Sequence, residues 1–125
     1  MERSKVLTAL SALANAARLD LVRLLMPAGD AGLPAGEIGR SLGLSASRLS
    51  FHLSALEHAG LIRSRRVARN VIYSVDPAGI GQTIGYLLND CCCNHPEVMA
   101  CCHHAPPSDQ KPAEPAQSAT GMVNT

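Results

Sequence analysis

All the cysteines of this chain, Cys91, Cys92, Cys93, Cys101 and Cys102, fall in one short stretch. Thiolates are soft ligands that select soft or borderline ions. In a reducing compartment such a cluster binds an ion or senses oxidation more readily than it forms a structural disulfide. His95, His103 and His104 lie among the cysteines, which brings zinc into consideration. Structural zinc sites, however, use spaced Cys-x(2–4)-Cys pairs, and these cysteines are adjacent. A trivalent metalloid needs only three sulfurs in a pyramid, which an adjacent pair and one returning cysteine can supply. Reversible thiol oxidation is a third chemistry open to the same residues.

A second group of residues is basic. Between Glu37 and Tyr73 the arginines are Arg40, Arg48, Arg63, Arg65, Arg66 and Arg69, against the acids Glu37 and Glu57 alone. No acid occurs between Glu57 and Asp76. The net charge of +1 is therefore uninformative, while the local excess is the footprint expected of a polyanion partner.

The elements that must carry these groups follow from periodicity. Leu49, Leu53 and Leu56 set one leucine stripe on a helix, with Ala46, Ser47, Arg48, Ser50 and Phe51 on the other face. Ser45 is placed to cap its start and Gly60 to end it, with Leu61 packing back. Just upstream, Ile38 and Leu42 mark a shorter helix, separated only by Gly43, Leu44 and Ser45. The pair is a helix-turn-helix signal.

Before it, Ser4 to Ala14 reads as a helix with Val6, Leu10 and Leu13 on one face. Asn15 caps a second helix, which Pro27 stops and whose apolar positions, Leu19 among them, cover more than half its circumference. PAGDAGLPAG reads as a loop. After Gly60, LIRSRRVA and NVIYSVD read as a β-hairpin, with Ala68, Arg69 and Asn70 as the turn. Asp76 and Pro77 start a last helix on which Ile80, Ile84, Leu87, Leu88 and Cys91 form one stripe. Gly81 and Gly85 on it would let another backbone approach. The stretch from Ala105 to the last residue, rich in Pro, Ala and Ser, reads as a disordered tail.

The fold class is thus mainly α with a small β-hairpin, a winged helix-turn-helix. The expected division is residues 1–92 as the winged helix-turn-helix DNA-binding unit, 93–104 as a Cys/His-rich segment, and 105–125 as tail. The 125 residues are 46% hydrophobic but only 2% aromatic, so one core of Leu, Ile, Val and Ala is expected. Neither a membrane span nor a signal-peptide segment is apparent, so a cytoplasmic location is expected.

Several segments resemble the ArsR (ArsR/SmtB) family of bacterial metal-responsive repressors. NAARLDLVRLL is similar to that family's second helix. GEIGRSLGLSASRLSFHLSALEHAGLI is similar to its helix-turn-helix, including Ser-x-His-Leu at Ser50 to Leu53, and RSRRVARNVIYSV to its wing. The resemblance covers roughly residues 4 to 92. It implies a homodimer, formed by the first and last helices, that binds double-stranded operator DNA and releases it when an inducer binds. One of the family's metal sites needs a Cys-x-Cys near the third helix, where this chain reads Pro34-Ala35-Gly36-Glu37. Another needs histidines and acids along the last helix, which has no histidine before Cys91. What remains resembles members that bind trivalent arsenic at an adjacent cysteine pair plus one cysteine shortly after.

The expected inducer is therefore a trivalent arsenic or antimony species, with zinc as the other candidate. Cys91, Cys92 and Cys101 are the first choice of ligands, Cys91 facing the protein and the chain looping back over HPEVMA. Cys93 and Cys102 are the alternates. The expected DNA-binding residues are Ser45, Ser47, Arg48, Ser50, Phe51 and His52 on the helix and Arg63, Arg65, Arg66 and Arg69 in the wing. Arg48 suits a bidentate contact to guanine, Phe51 a thymine methyl, the wing arginines phosphates or a minor groove. His52, beside the leucine stripe, suits a structural or phosphate-bonding role. No Cys-x-x-Cys, phosphate loop or acid pair points to an enzyme. A metal-buffering protein would use the cysteines alone and have no need of Arg48 or the arginine-rich wing.

Overall fold

A computed structural model describes residues 2–102, with the side chain of Cys102 excepted; His103, His104 and the expected tail from Ala105 lie outside the described residues. The chain divides into two compact units after Tyr86. The first unit is a mainly helical winged helix-turn-helix with a small antiparallel sheet.

Helix α1 (Arg3–Leu13) opens it, followed by α2 (Ala16–Leu25). Asn15 caps α2, its side-chain oxygen accepting from the Arg18 backbone N–H at 3.2 Å. The helix ends at Leu25, and Pro27 belongs to a 3-10 segment, Met26–Ala31, which turns at Gly29 with φ of 59°. The buried stripe of α1 is Val6, Ala9 and Ala12; Leu10 and Leu13, expected on the buried face, are only half-buried. On α2, Leu21, Val22 and Leu25 are buried while Leu19 is 50% exposed. That helix is therefore not wrapped on several sides as its composition suggests.

The Pro- and Gly-rich stretch is not all loop. Leu33–Pro34 form a short strand, β1, antiparallel to Tyr73 and Ile72. Gly32 makes this pairing fit, since with φ of 69° its β-carbon would run into the Tyr73 carbonyl oxygen. Helix α3 (Ala35–Leu42) ends at Gly43, left-handed at φ of 66°. Helix α4 (Ala46–His58) follows, capped by the Ser45 hydroxyl, which accepts from the Arg48 N–H at 3.3 Å. Its stripe Leu49, Leu53 and Leu56 is buried, and Leu61, past the left-handed Gly60, is fully buried with its N–H on the Leu56 carbonyl.

Strands β2 (Ile62–Val67) and β3 (Asn70–Val75) form the wing. Val67 pairs with Asn70, so the turn is Ala68–Arg69 alone and Asn70 belongs to the strand; Ala68 takes φ of 57°. The sheet order is β1-β3-β2. Helix α5 (Pro77–Tyr86) starts under an Asp76 cap whose carboxylate accepts from the Ala78 and Gly79 N–H groups at 3.1 and 3.3 Å. Gly79 is the close-contact glycine of this helix: a β-carbon there would collide with the Gly60 carbonyl oxygen. Gly81 and Gly85 meet nothing within 4 Å in this chain.

The second unit begins where the expected stripe breaks. Leu87–Cys91 form a π-turn, not a continuation of the α-helix, with the Cys92 N–H donating to the Leu87 carbonyl at 2.8 Å. Cys93 and Asn94 are left-handed, at φ of 52° and 57°. Helix α6 (Pro96–Cys102) then occupies the stretch expected to loop back. Among the described residues, no helix is long and apolar enough to cross a membrane.

Candidate functional site

The helix-turn-helix presents α4 by burying one side of it. Once Leu49, Leu53 and Leu56 are inside the core, helical geometry leaves Ser47, Arg48, Ser50, Phe51 and Ser54 exposed. Phe51 is 64% exposed, unusual for the only phenylalanine of the chain. Ser47, Arg48, Phe51 and His52 line a shallow hollow of about 320 Å3. Arg48 makes no side-chain hydrogen bond or ion pair among the described residues, so its guanidinium is available to a base edge or a phosphate. Ser54 shares the face and was not among the expected contacts; helical spacing from Ser47 and Ser50 is the signal that finds it.

His52 is half-buried and engaged. The Arg18 Nε–H of α2 donates to its Nδ1 at 3.2 Å. The same guanidinium donates through Nη1 to the Ala12 carbonyl at 3.3 Å, and its carbon lies 5.5 Å from the centroid of the Phe51 ring. Phe51 and His52 meet edge to face at 5.5 Å. Burial, and then the charges of Arg18 and Arg48, hold the imidazole below its usual 6.5. Arg18 lies 34 residues from His52, so local pattern gives no hint of it.

The four wing arginines are not equivalent. Arg63 forms an ion pair with Asp30 at 3.1 Å. Arg65 donates to the Asp30 and Ala31 carbonyls at 2.8 and 2.9 Å, a fork closed on the 3-10 segment. These two alternate positions share one face of β2, so both reach the same turn. The mutual repulsion of the arginines is thus relieved partly within the chain. Arg66, and Arg69 in the turn, are exposed and have no intramolecular hydrogen bond or ion pair among the described residues. Ser64 donates to the Glu57 carboxylate at 2.7 Å, which ties the wing to the end of α4.

The family model for a helix-turn-helix domain matches residues 13–65. The chain is 40% identical over 72 residues to the HTH-type transcriptional regulator YgaV of Escherichia coli K12, covering 58% of this chain and 73% of that protein. It is 34% identical over 84 residues to the transcriptional activator HlyU of Vibrio cholerae, covering 67% of this chain and 75% of HlyU. The chain belongs to the ArsR/SmtB-like winged-helix transcriptional regulators. A solved structure of HlyU superposes with a TM-score of 0.57, at 34% identity, over 74% of this chain and 99% of that one. A solved chain described as "Possible transcriptional regulator for arsenical resistance" superposes at 0.56, with 30% identity, over 63% of this chain and 79% of its own. The regulator is thus a DNA-binding, non-catalytic protein.

Its cysteines lie in the second unit. Cys91, expected to face the protein, ends the π-turn and is exposed, so it does not continue the α-helical stripe. Cys92 is half-buried, Cys93 sits exposed in the left-handed bend, and Cys101 is exposed on α6. His95 caps α6, its Nδ1 accepting from the Glu97 N–H at 3.2 Å. Among the described residues, no three His, Cys, Asp or Glu side chains gather closely enough to hold an ion. In this arrangement the described thiols do not make a three-sulfur site. They share a short segment that would have to rearrange to present one.

Proposed function

We propose that the regulator is a homodimeric repressor that binds an inverted-repeat operator and releases it when a trivalent arsenic or antimony species reaches the C-terminal cysteines. The DNA half of this reading is carried by α4, which buries three leucines and leaves Arg48 unpartnered among exposed serines. Arg48, with Ser47 and Ser50, is the proposed base reader, Phe51 the proposed thymine contact, and Ser45 and His52 flank them. Arg66 and Arg69 are the proposed phosphate contacts, with Arg63 and Arg65 placed to join only if they leave the 3-10 segment.

The dimer is supported by apolar surface on α1 and α5. Leu7 is 55% and Ile84 46% exposed, and Gly81 and Gly85 offer open space for a second backbone. A two-fold dimer sets its recognition helices about one DNA turn apart.

The inducer half is supported by the crowding of five thiols into one segment and by the relation to the arsenical-resistance chain. Cys91, Cys92 and Cys101 are the proposed donors, and Cys93 and Cys102 the substitutes. Labelled operator, bound by the full chain, is titrated with arsenite, antimonite, zinc and peroxide in parallel. Release by the trivalent species, lost in Cys91→Ser, Cys92→Ser and Cys101→Ser with DNA binding retained, is the expected result. Undiminished release after all five cysteines are replaced by serine ends the metalloid reading. Response to zinc or peroxide alone moves the assignment to that chemistry.

A further inference from the structure

One guanidinium from outside the helix-turn-helix reaches two neighbouring residues of its exposed face. Arg18 contacts the Ala12 carbonyl, the His52 ring and the Phe51 ring together. Arginine cannot accept a hydrogen bond, so the 3.2 Å contact requires His52 Nδ1 to be the acceptor. The proton of the neutral ring must then sit on Nε2, which leaves Nε2–H as a donor. We propose that Arg18 is a positioning residue for DNA reading: it fixes His52 as the Nε2–H tautomer and holds Phe51 against it, so that the two meet DNA as one prearranged pair.

The inference rests on α4 being the DNA-reading helix and adds a residue of α2 to its machinery. His52 is suited to donate to a backbone phosphate, and Phe51, 64% exposed, to touch a thymine methyl. A flexible aromatic ring on an exposed helix would lose rotamer freedom on binding; here the neighbouring guanidinium and imidazole already restrict it. Among the described residues, the charged groups that act on the imidazole are Arg18 from α2 and Arg48 from its own helix, while the Ala12 carbonyl of α1 accepts from the Arg18 guanidinium. Burial first, and then both charges, oppose protonation, so Arg18 adds to what keeps His52 neutral. Without Arg18, His52 would protonate at a higher pH and attract phosphate without regard to sequence.

The first test uses the unmodified full chain without DNA. Nitrogen-15 NMR of the histidine side chains should show His52 as a single Nε2–H tautomer, titrating below 6.5. A mixed or Nδ1–H tautomer overturns the proposal whether or not an operator is known. The second test compares Arg18→Gln and the charge-keeping Arg18→Lys, using whichever folds by circular dichroism. In Arg18→Gln the His52 titration should move up toward its ordinary value. Operator affinity at pH 8, where His52 is neutral in both proteins, should fall on the order of tenfold, the loss of about one charge-assisted hydrogen bond. Affinity for random DNA should rise more steeply on acidification than in the parent. Arg18→Lys keeps the charge but not the planar fork, so its titration should stay low while the operator affinity still falls. A lowered melting temperature in either variant, with His52 titration and operator preference unmoved, would show that Arg18 only packs helices and would sink the idea. Should no DNA bind at all, with the tautomer as described, the DNA reading of α4 fails and not the Arg18–His52 coupling.

Discussion

The winged-helix unit and the cysteine segment that follows it are held together in opposite ways. Up to Tyr86, helices α2, α4 and α5 each begin at a side-chain cap. Their apolar faces meet in one core in which Leu21, Leu25, Ile38, Leu56 and Leu61 are fully buried. From Leu87 to Cys101 no residue is buried, and the backbone runs through a π-turn and two consecutive left-handed residues. Regular structure stabilised by burial resists change, whereas a segment with local hydrogen bonds and no core opens at little cost. The proposed function calls on both properties: a body that keeps its exposed α4 face in place, and thiols on a part that can reorganise.

The sharpest way to break this comparison is to remove core volume. Leu56→Ala should destabilise the protein by about 2–5 kcal/mol, from lost burial and the cavity left behind. Val98→Ala, at a position 38% exposed in the second unit, should change stability by no more than about 0.5 kcal/mol. Urea unfolding of both variants checks the contrast, and comparable losses would show that the segment is part of the cooperative unit.

Within the winged helix the comparison narrows to two kinds of arginine. On the proposed reading of Arg48 as a base contact, Arg48→Ala should cost about 1–3 kcal/mol on operator DNA and relax sequence preference. Equal losses on operator and random DNA would reassign Arg48 to phosphate. Arg65→Ala opens the fork on Asp30 and Ala31. It should lower stability by about 1 kcal/mol, since those carbonyls can turn to water, and it should leave the salt slope of DNA binding largely as it was. Arg66→Ala should do the reverse: unchanged stability, and a salt slope reduced by about one unit on any DNA. Fluorescence anisotropy at several salt concentrations separates the two.

These contrasts also mark what could be read from the sequence. The leucines of α4, the caps at Asn15, Ser45 and Asp76 and the left-handed glycines at 43 and 60 are local signals, and the structure contains them all. Strand β1 was hidden because Pro and Gly also signal loops, and only its distant partner, β3, makes Leu33–Pro34 a strand. On α1 the spacing of Val6, Leu10 and Leu13 favours the larger side chains, whereas the buried face is Val6, Ala9 and Ala12. The partners of Arg65 and His52 lie more than thirty residues away along the chain, beyond the reach of any periodicity. The break after Tyr86 leaves no mark in the sequence, because the apolar spacing of Leu87 and Leu88 suits an α-helix, while the chain widens there into a π-turn.

The smallest expected effect is the most informative about the second unit. Cys91 is exposed and has no part in the core, so Cys91→Ser should leave stability within about 0.5 kcal/mol of the parent. Cys93 is also exposed, but at φ of 52° it holds a conformation that costs a residue with a β-carbon roughly 1–2 kcal/mol. Cys93→Gly removes that strain and adds freedom to the unfolded chain, two changes of opposite sign, so its net effect should also stay small. The two variants nevertheless differ in what they test. If the bend is merely tolerated, Cys93→Gly should leave the response to arsenite intact, because Cys91, Cys92 and Cys101 remain. If the left-handed turn is needed to bring the sulfurs within reach of one another, freeing it should weaken that response while operator affinity stays unchanged. Thiol counting on the arsenite-bound protein distinguishes the cases: three protected thiols in Cys93→Gly show that Cys93 is dispensable, and two place Cys93 among the ligands.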